Sequence, residues 1–513
     1  MTQFNWWLDG SIVGLYLLAT MVAGVMVRKY VGRVEDFIVA GREMNVYLGI
    51  ASLAATEFGI VTCMYTAQNG YDKGFAGAVP GILNALAMFV VGVTGFCIKP
   101  LRDSGAMTIP ELMNRRYGPF VRWLAGWVIV LGGLLNMGVF LRVGGEFLVY
   151  TCNMQPTLEL FGFRIETLVF IMTILLVGVA VYTILGGMLS VLVTDFLQFV
   201  VMSTGLLAVT ALILGKIGWS KLVAAVEMHH GAGGFNPFVH PQMGWQYVIF
   251  NFLLNTAAVL TWQTAVSRVL AAKDSRTGMR VYAGTAFFFV CRFLIPGLWG
   301  IAALATLAPG VLPMKADGSG PNTLLAMPMF LGQFVPVGLM GILIAAMLAA
   351  DMSTDSAYML TWGSVIYNDI ICPVRAFLKR KAWGDKKGLL INRCIIACIG
   401  FFLLFFGLWY QPPGDLWTYL GVTGTIYLAS MSTLLVACCY WRRANNWGAI
   451  AANVVGAVMP VSTLILQKIG PWTVWFTNNA TLWNIGAFVF SWVAMIVGSL
   501  LKPQVAKHGG KSK

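Results

Sequence analysis

Gly338–Asp369, GLMGILIAAMLAADMSTDSAYMLTWGSVIYND, is apolar enough to cross a bilayer yet carries Asp351, Ser353, Thr354 and Asp355 at its middle. Four residues make about one helical turn, so two carboxylates and two hydroxyls crowd together at membrane depth. A charge there costs roughly 2.5–3.5 kcal/mol on insertion scales. A chain keeps such a group where it meets an ion, a partner or a water-filled cavity. The stretch therefore marks both a membrane fold and the first candidate site.

The rest of the chain agrees with a membrane fold. Of 513 residues, 58% are hydrophobic and 11% charged, against about a quarter charged in a soluble protein. Apolar runs of about 18 residues or more predict thirteen spans: 11–27, 46–68, 77–98, 121–150, 166–185, 189–214, 244–262, 281–308, 334–369, 389–410, 415–440, 447–467 and 479–501. The N-terminus lacks the small-residue cleavage site of a signal peptide, so the first run is expected to stay.

The net charge of +14 is a matter of topology. Alternate connections hold 26 lysines and arginines on one side and 6 on the other, with Arg142 and Arg292 inside spans, which accounts for all 34. The positive-inside rule then puts the N-terminus outside and the C-terminus in the cytoplasm. The distribution excludes a nucleic-acid footprint. The basic turn FLKRKAWGDKK at 377–387 is expected to meet anionic headgroups. The nine cysteines lie mostly in spans and form no zinc or haem pattern. His229, His230 and His240 fall in an outer loop that also carries an amphipathic segment, Trp219–Met228, and His508 falls in the tail. No span contains a histidine, which argues against an intramembrane enzyme.

Span lengths suggest a repeat. The fourth and ninth spans are the longest and lie five apart, an odd number, so two five-span units would face opposite ways. Inverted repeats of this kind build transporters whose site lies at the midplane, between leading helices that are broken. Span 2 has Ala55-Thr56-Glu57-Phe58-Gly59, with a charge and a glycine in its middle. Span 7 has Asn251, Asn255 and Thr256 but no glycine or proline. The predicted organisation is an extra helix at 1–30, repeats at 40–214 and 215–440, and two further helices with a cytoplasmic tail at 441–513.

Three polar sets admit two readings each. Arg142 and Glu146, four apart, form either a self-neutralising ion pair or a contact to a solute carboxylate or gate. Asp195 is either half of a cytoplasmic salt bridge or a cation ligand on the way inward. Ser353 and Thr354 either bond back to carbonyls one turn earlier or coordinate an ion. Hydroxyls and the carbonyls of an unwound helix are hard ligands suited to sodium, and no soft-metal ligand accompanies them.

Several motifs in order resemble the sodium:solute symporter family over about residues 30–445. They are Gly41-Arg42; Thr108-Ile109-Pro110-Glu111 with Arg116-Tyr117-Gly118; Gly186-Gly187 with Thr194-Asp195 and Gln198; Trp262-Gln263 with Arg268; and Ala350 with Ser353-Thr354. The resemblance implies an all-α polytopic protein with a leucine-transporter-type 5+5 inverted repeat, spans 2–6 and 7–11. It implies a sodium site at Ala55, Phe58, Ala350, Ser353 and Thr354, and in some members a second sodium site or exit relay at Asp195. It places the solute among Thr62, Asn84, Asn136, Asn255, Thr256 and Tyr419, with Arg142 the further candidate from its charge. Asp351, Asp355 and Glu57 depart from the family pattern and are candidates for a second cation or a relay. The expected activity is sodium-driven import of a small organic solute by alternating access, with sodium as coupling ion and no cofactor. The expected setting is an inner or plasma membrane, with the lipid bilayer, the solute and sodium as partners and a monomer as the working unit. A proton-coupled transporter of the same fold and a non-transporting solute sensor are the alternatives.

Overall fold

The computed structural model describes residues 4–160, 162–315, 318, 320–411, 415–469 and 471–502. His508 and the tail residues Lys507, Lys511 and Lys513 lie outside them. The architecture is helical: α1 (Leu8–Met26), α2 (Val46–Glu57), α3 (Ile60–Lys73), α4 (Val79–Thr94), α5 (Pro119–Met137), α6 (Phe140–Thr151), α7 (Thr167–Lys216), α8 (Gly244–Thr261), α9 (Gln263–Ala271), α10 (Ser275–Thr306), α11 (Leu339–Val365), α12 (Asp385–Trp409), α13 (Leu416–Tyr440), α14 (Asn446–Leu466) and α15 (Thr473–Leu501). Among the described residues, one antiparallel hairpin, Thr157–Leu160 with Phe163–Glu166, joins α6 to α7, and two isolated β-bridges, Met44 with Ala272 and Met314 with Pro321, accompany it.

Among the described residues, eleven stretches are long and apolar enough to cross a membrane. The difference from thirteen arises at two junctions. The runs 166–185 and 189–214 merge into the 50 residues of α7. A straight helix of that length would extend about 75 Å, against roughly 30 Å of hydrocarbon. It is interrupted at Gly187, whose φ of 55° and ψ of −147° are not helical. A Cβ there would stand 2.6 Å from the Phe37 carbonyl oxygen, so only glycine fits. The second merger joins α3 to α4, while α2 is too short to count.

The span 121–150 is also two helices, α5 and α6, separated at Gly138 and Val139. The strongly polar stretch around Asp351 lies in α11, where 25 of 27 residues are buried. It sits inside the bundle, packed on α1, α2, α5, α7 and α12, and not against lipid. The helix outside the repeats, α1, is pinned to it. Asp9, fully buried, accepts from the backbone N–H groups of Gly338 and Gly341 at 2.7 and 2.8 Å, capping the start of α11. At the other end of the chain, α14 and α15 pack on each other and on α13.

Candidate functional site

The site begins at two interrupted helices. Between α2 and α3, Phe58 has ψ 53° and Gly59 ψ 168°, so the helical ladder stops and the last carbonyls of α2 face sideways. Between α8 and α9, Trp262 has ψ 116°. The second break falls at a tryptophan, with no glycine or proline, and the helix resumes for nine residues beyond the run at 244–262.

Across the first break stands α11. Ser353 Oγ donates to the Ala55 carbonyl at 2.9 Å and back to Ala350 at 3.1 Å. Thr354 Oγ1 donates to the Thr56 carbonyl at 2.7 Å. Gly59 makes this approach possible, because a Cβ there would lie 2.5 Å from Thr354 Oγ1. Ala55, Phe58, Ala350, Ser353 and Thr354 are all buried. The donor set is carbonyl and hydroxyl oxygen, the chemistry a sodium ion takes as cargo.

Two ion pairs brace the break. Asp195 and Arg268, both fully buried, meet at 3.1 Å. Arg268 also donates to Thr56 Oγ1 at 2.5 Å and Ser52 Oγ at 3.2 Å, and Ser52 donates to Asp195. Arg268 is therefore a buried strut between α9, α2 and α7, although the positive-inside count puts it in a loop. The second pair is Glu57 with Arg292 of α10, at 3.3 Å. Glu57 also accepts from Thr264 Oγ1 at 2.5 Å, and Arg292 donates to Tyr65 and Thr62.

Above these lies a cavity with an empty volume of about 760 Å³. Its wall includes Thr62, Asn84, Asn136, Asn255, Glu57 and Thr354, so it opens onto the sodium-type donors. Asn84 donates to Asn255 at 2.8 Å and keeps its own Oδ1 free of partners. Asn136 is tied to the Leu420 carbonyl and Thr423. The remaining wall is mostly apolar, with the aromatic rings of Tyr65, Trp262, Tyr358 and Trp417 beside aliphatic side chains such as Val61, Met88, Leu254 and Leu428. Trp262 donates to the Tyr358 hydroxyl at 2.9 Å.

Three expected solute contacts lie elsewhere. Arg142 is bound to Glu146 at 2.9 Å and to the Gly407 carbonyl, the self-neutralising pair its spacing allows. Tyr419 donates to the Leu135 carbonyl at 2.7 Å, and Thr256 is half-buried outside the cavity wall. Arg292 enters instead. Its signal is an arginine at the middle of the 281–308 run. The aromatic wall has no comparable signal, since tryptophan and tyrosine are common throughout membrane helices.

Two broken helices, α2–α3 and α8–α9, that border one cavity are the layout of a secondary transporter of the leucine-transporter type. The sodium:solute symporter family model matches residues 37–456, and the chain belongs to that family. Its activity is sodium-coupled symport of a small solute. It is 24% identical to the sodium/myo-inositol cotransporter of Mus musculus, over 89% of this chain and 67% of that one. It is 22% identical to the osmoregulated proline transporter of Bacillus subtilis (strain 168), over 96% and 95%. A sodium-coupled sialic acid symporter, solved in a substrate-bound outward-open state, shares the fold with a TM-score of 0.79 and 17% identity over 97% of this chain and 98% of that one.

Proposed function

We propose that the chain imports a neutral or zwitterionic polar solute, using sodium held by the carbonyls of Ala55, Phe58 and Ala350 and the hydroxyls of Ser353 and Thr354. The observation that carries this reading is that Thr354 belongs both to the hydroxyl pair facing the broken α2 and to the cavity wall. An ion that draws α2 and α11 together thereby shapes the solute pocket, coupling two sites through one conformational equilibrium. Glu57 and Arg292 neutralise each other, so the cavity presents amides, hydroxyls and aromatic faces with no net charge. Such a wall suits a compact solute rich in hydrogen-bonding groups. The relatives named for myo-inositol and proline fit that description.

Release inward would follow opening of the Asp195–Arg268 pair, which closes the path below the ion. The chain acts as a monomer in an inner or plasma membrane, with repeats at 40–214 and 215–440, its N-terminus outside and its C-terminus in the cytoplasm.

The test starts from a thermal-shift screen of small neutral and zwitterionic solutes with and without sodium, followed by uptake of the hit into proteoliposomes. Ser353→Ala and Thr354→Ala are each expected to raise the sodium concentration for half-maximal uptake by about tenfold, the loss of one charge-assisted ligand of roughly 1.4 kcal/mol. Sodium dependence unchanged in both variants refutes the site.

A further inference from the structure

Glu57 and Arg292 cancel in charge, yet each leaves bonding capacity unused. Arg292 commits three of its five N–H groups, one to Glu57 and, from Nη2, one each to the Thr62 and Tyr65 hydroxyls. Its Nε has no acceptor among the described residues. Glu57 accepts from Thr264 and Arg292, about half of the roughly four lone-pair sites that a carboxylate offers. The contact between the two, at 3.3 Å, is longer than the about 2.7–2.9 Å of a well-formed charge-assisted bond. Taking two charges out of water is costly, and a contact this long offsets little of that cost.

Both residues line the solute cavity, so what enters it meets them. Asn84, on the same wall, keeps a further acceptor, Oδ1, without a partner. The two wall charges sort the solutes that fit. A carboxylate alone would draw Arg292 away and strand Glu57, and an ammonium alone would strand Arg292. A neutral polyol gains nothing from either charge. A zwitterion gives each wall charge an opposite partner while the net charge of the cavity stays at zero.

Geometry narrows the class again. Because Glu57 and Arg292 touch, their partners on the solute must also be close together. An amine and a carboxylate on one carbon meet that condition, and charges at the two ends of a chain do not. The rest of the wall, with Met88, Leu254, Leu428 and Trp417, suits an apolar side chain.

We propose that Glu57 and Arg292 form the recognition pair for an α-amino acid with an apolar side chain. Arg292 donates to its carboxylate, and Glu57 accepts from its ammonium. The proposal narrows the solute class of the sodium-coupled reading above and rests on that reading's cavity.

The experiment is calorimetric titration of the purified full chain in nanodiscs, in sodium and with choline replacing it. The probes are L-proline, L-valine and L-leucine. Four comparators accompany them: δ-aminovalerate, an isomer of valine with its charges far apart; isovalerate, valine without its amine; isobutylamine, valine without its carboxylate; and myo-inositol. At least one of the amino acids is expected to bind in sodium. The comparators are expected to bind at least about thirtyfold more weakly, because each forgoes one or both ion pairs. Glu57→Gln is expected to bind isovalerate more tightly than any of the three amino acids, and Arg292→Gln to bind isobutylamine more tightly. The wild-type comparison decides alone if neither variant folds. Failure of all three amino acids to bind, equal affinity for L-valine and δ-aminovalerate, or amino-acid affinity unchanged in both variants overturns the recognition pair. Amino-acid binding that is the same in sodium and in choline overturns the sodium-coupled reading and leaves the pair standing. Sodium-dependent binding of myo-inositol alone does the reverse.

Discussion

At Arg268 a single side chain holds the inner half of the site together. It is fully buried and reaches Asp195, Thr56, Ser52 and the Thr264 carbonyl, so α9, α2 and α7 meet through one guanidinium. Removing one partner of a buried pair leaves an uncompensated charge, which costs about 3–5 kcal/mol. Arg268→Ala is therefore expected to lower the Tm in nanodiscs markedly. The Asp195→Asn/Arg268→Ala double variant is expected to recover part of the loss, because the stranded carboxylate is gone. Equal Tm values for wild type and Arg268→Ala would show that the pair has no structural role. The Arg142–Glu146 pair is different, since it was legible from spacing alone: four residues on one helix fix the geometry locally. Asp195 and Arg268 are 73 positions apart, and only the fold makes them neighbours.

The helices interrupt where sequence chemistry permits it, and sometimes where it does not announce it. Gly59, beside the charge of Glu57, made the break between α2 and α3 readable, because glycine next to an intramembrane carboxylate is a strong local signal. Trp262 gave none: its extended backbone is held by tertiary contacts, including the bond from its indole to Tyr358 and rings packed against Tyr427 and Trp362. With the apolar run ending there, the nine residues of α9, four of them polar, read as a connection, and Arg268 with them. A different joint lies at the start of α13. Asp415 caps α13 by accepting from the Thr418 N–H at 2.7 Å and faces Lys73 of α3 at 3.9 Å. Burial pushes the Asp415 carboxyl up, but Lys73 and the Thr418 bonds outweigh it and hold it below the usual carboxylate range. A depressed value means that its stabilisation is complete above the unfolded value of about 3.9 and fades as pH falls through the lower folded one. Asp415→Ala should cost about 0.5–2 kcal/mol through loss of the cap, and Asp415→Asn, which can still cap, less. Melting curves should give the same Asp415→Ala deficit at pH 7 and pH 5. A deficit that disappears by pH 5 contradicts this account of the cap.

Across the whole molecule, the charge asymmetry survives correction by the fold. Arg268 is buried and leaves the cytoplasmic count, taking 26 to 25, and buried Lys73 leaves the outer count, taking 6 to 5. The remaining excess still lies in connections close to the membrane, where it acts on insertion. The structure adds a constraint from the other end of the scale. Asp9 binds α1 to the start of α11, so the first helix cannot reverse without stripping the cap from the helix that carries the hydroxyl pair. Packing thus fixes the direction of α1 relative to α11, and the proposed orientation, with the N-terminus outside, rests on the charge asymmetry. An epitope placed before residue 4 should be cleaved by protease added to intact spheroplasts, and one appended after residue 513 only after lysis. The reverse pattern would mean that the basic connections face outward and that the Asp195–Arg268 pair guards the entrance, not the exit, of the sodium path.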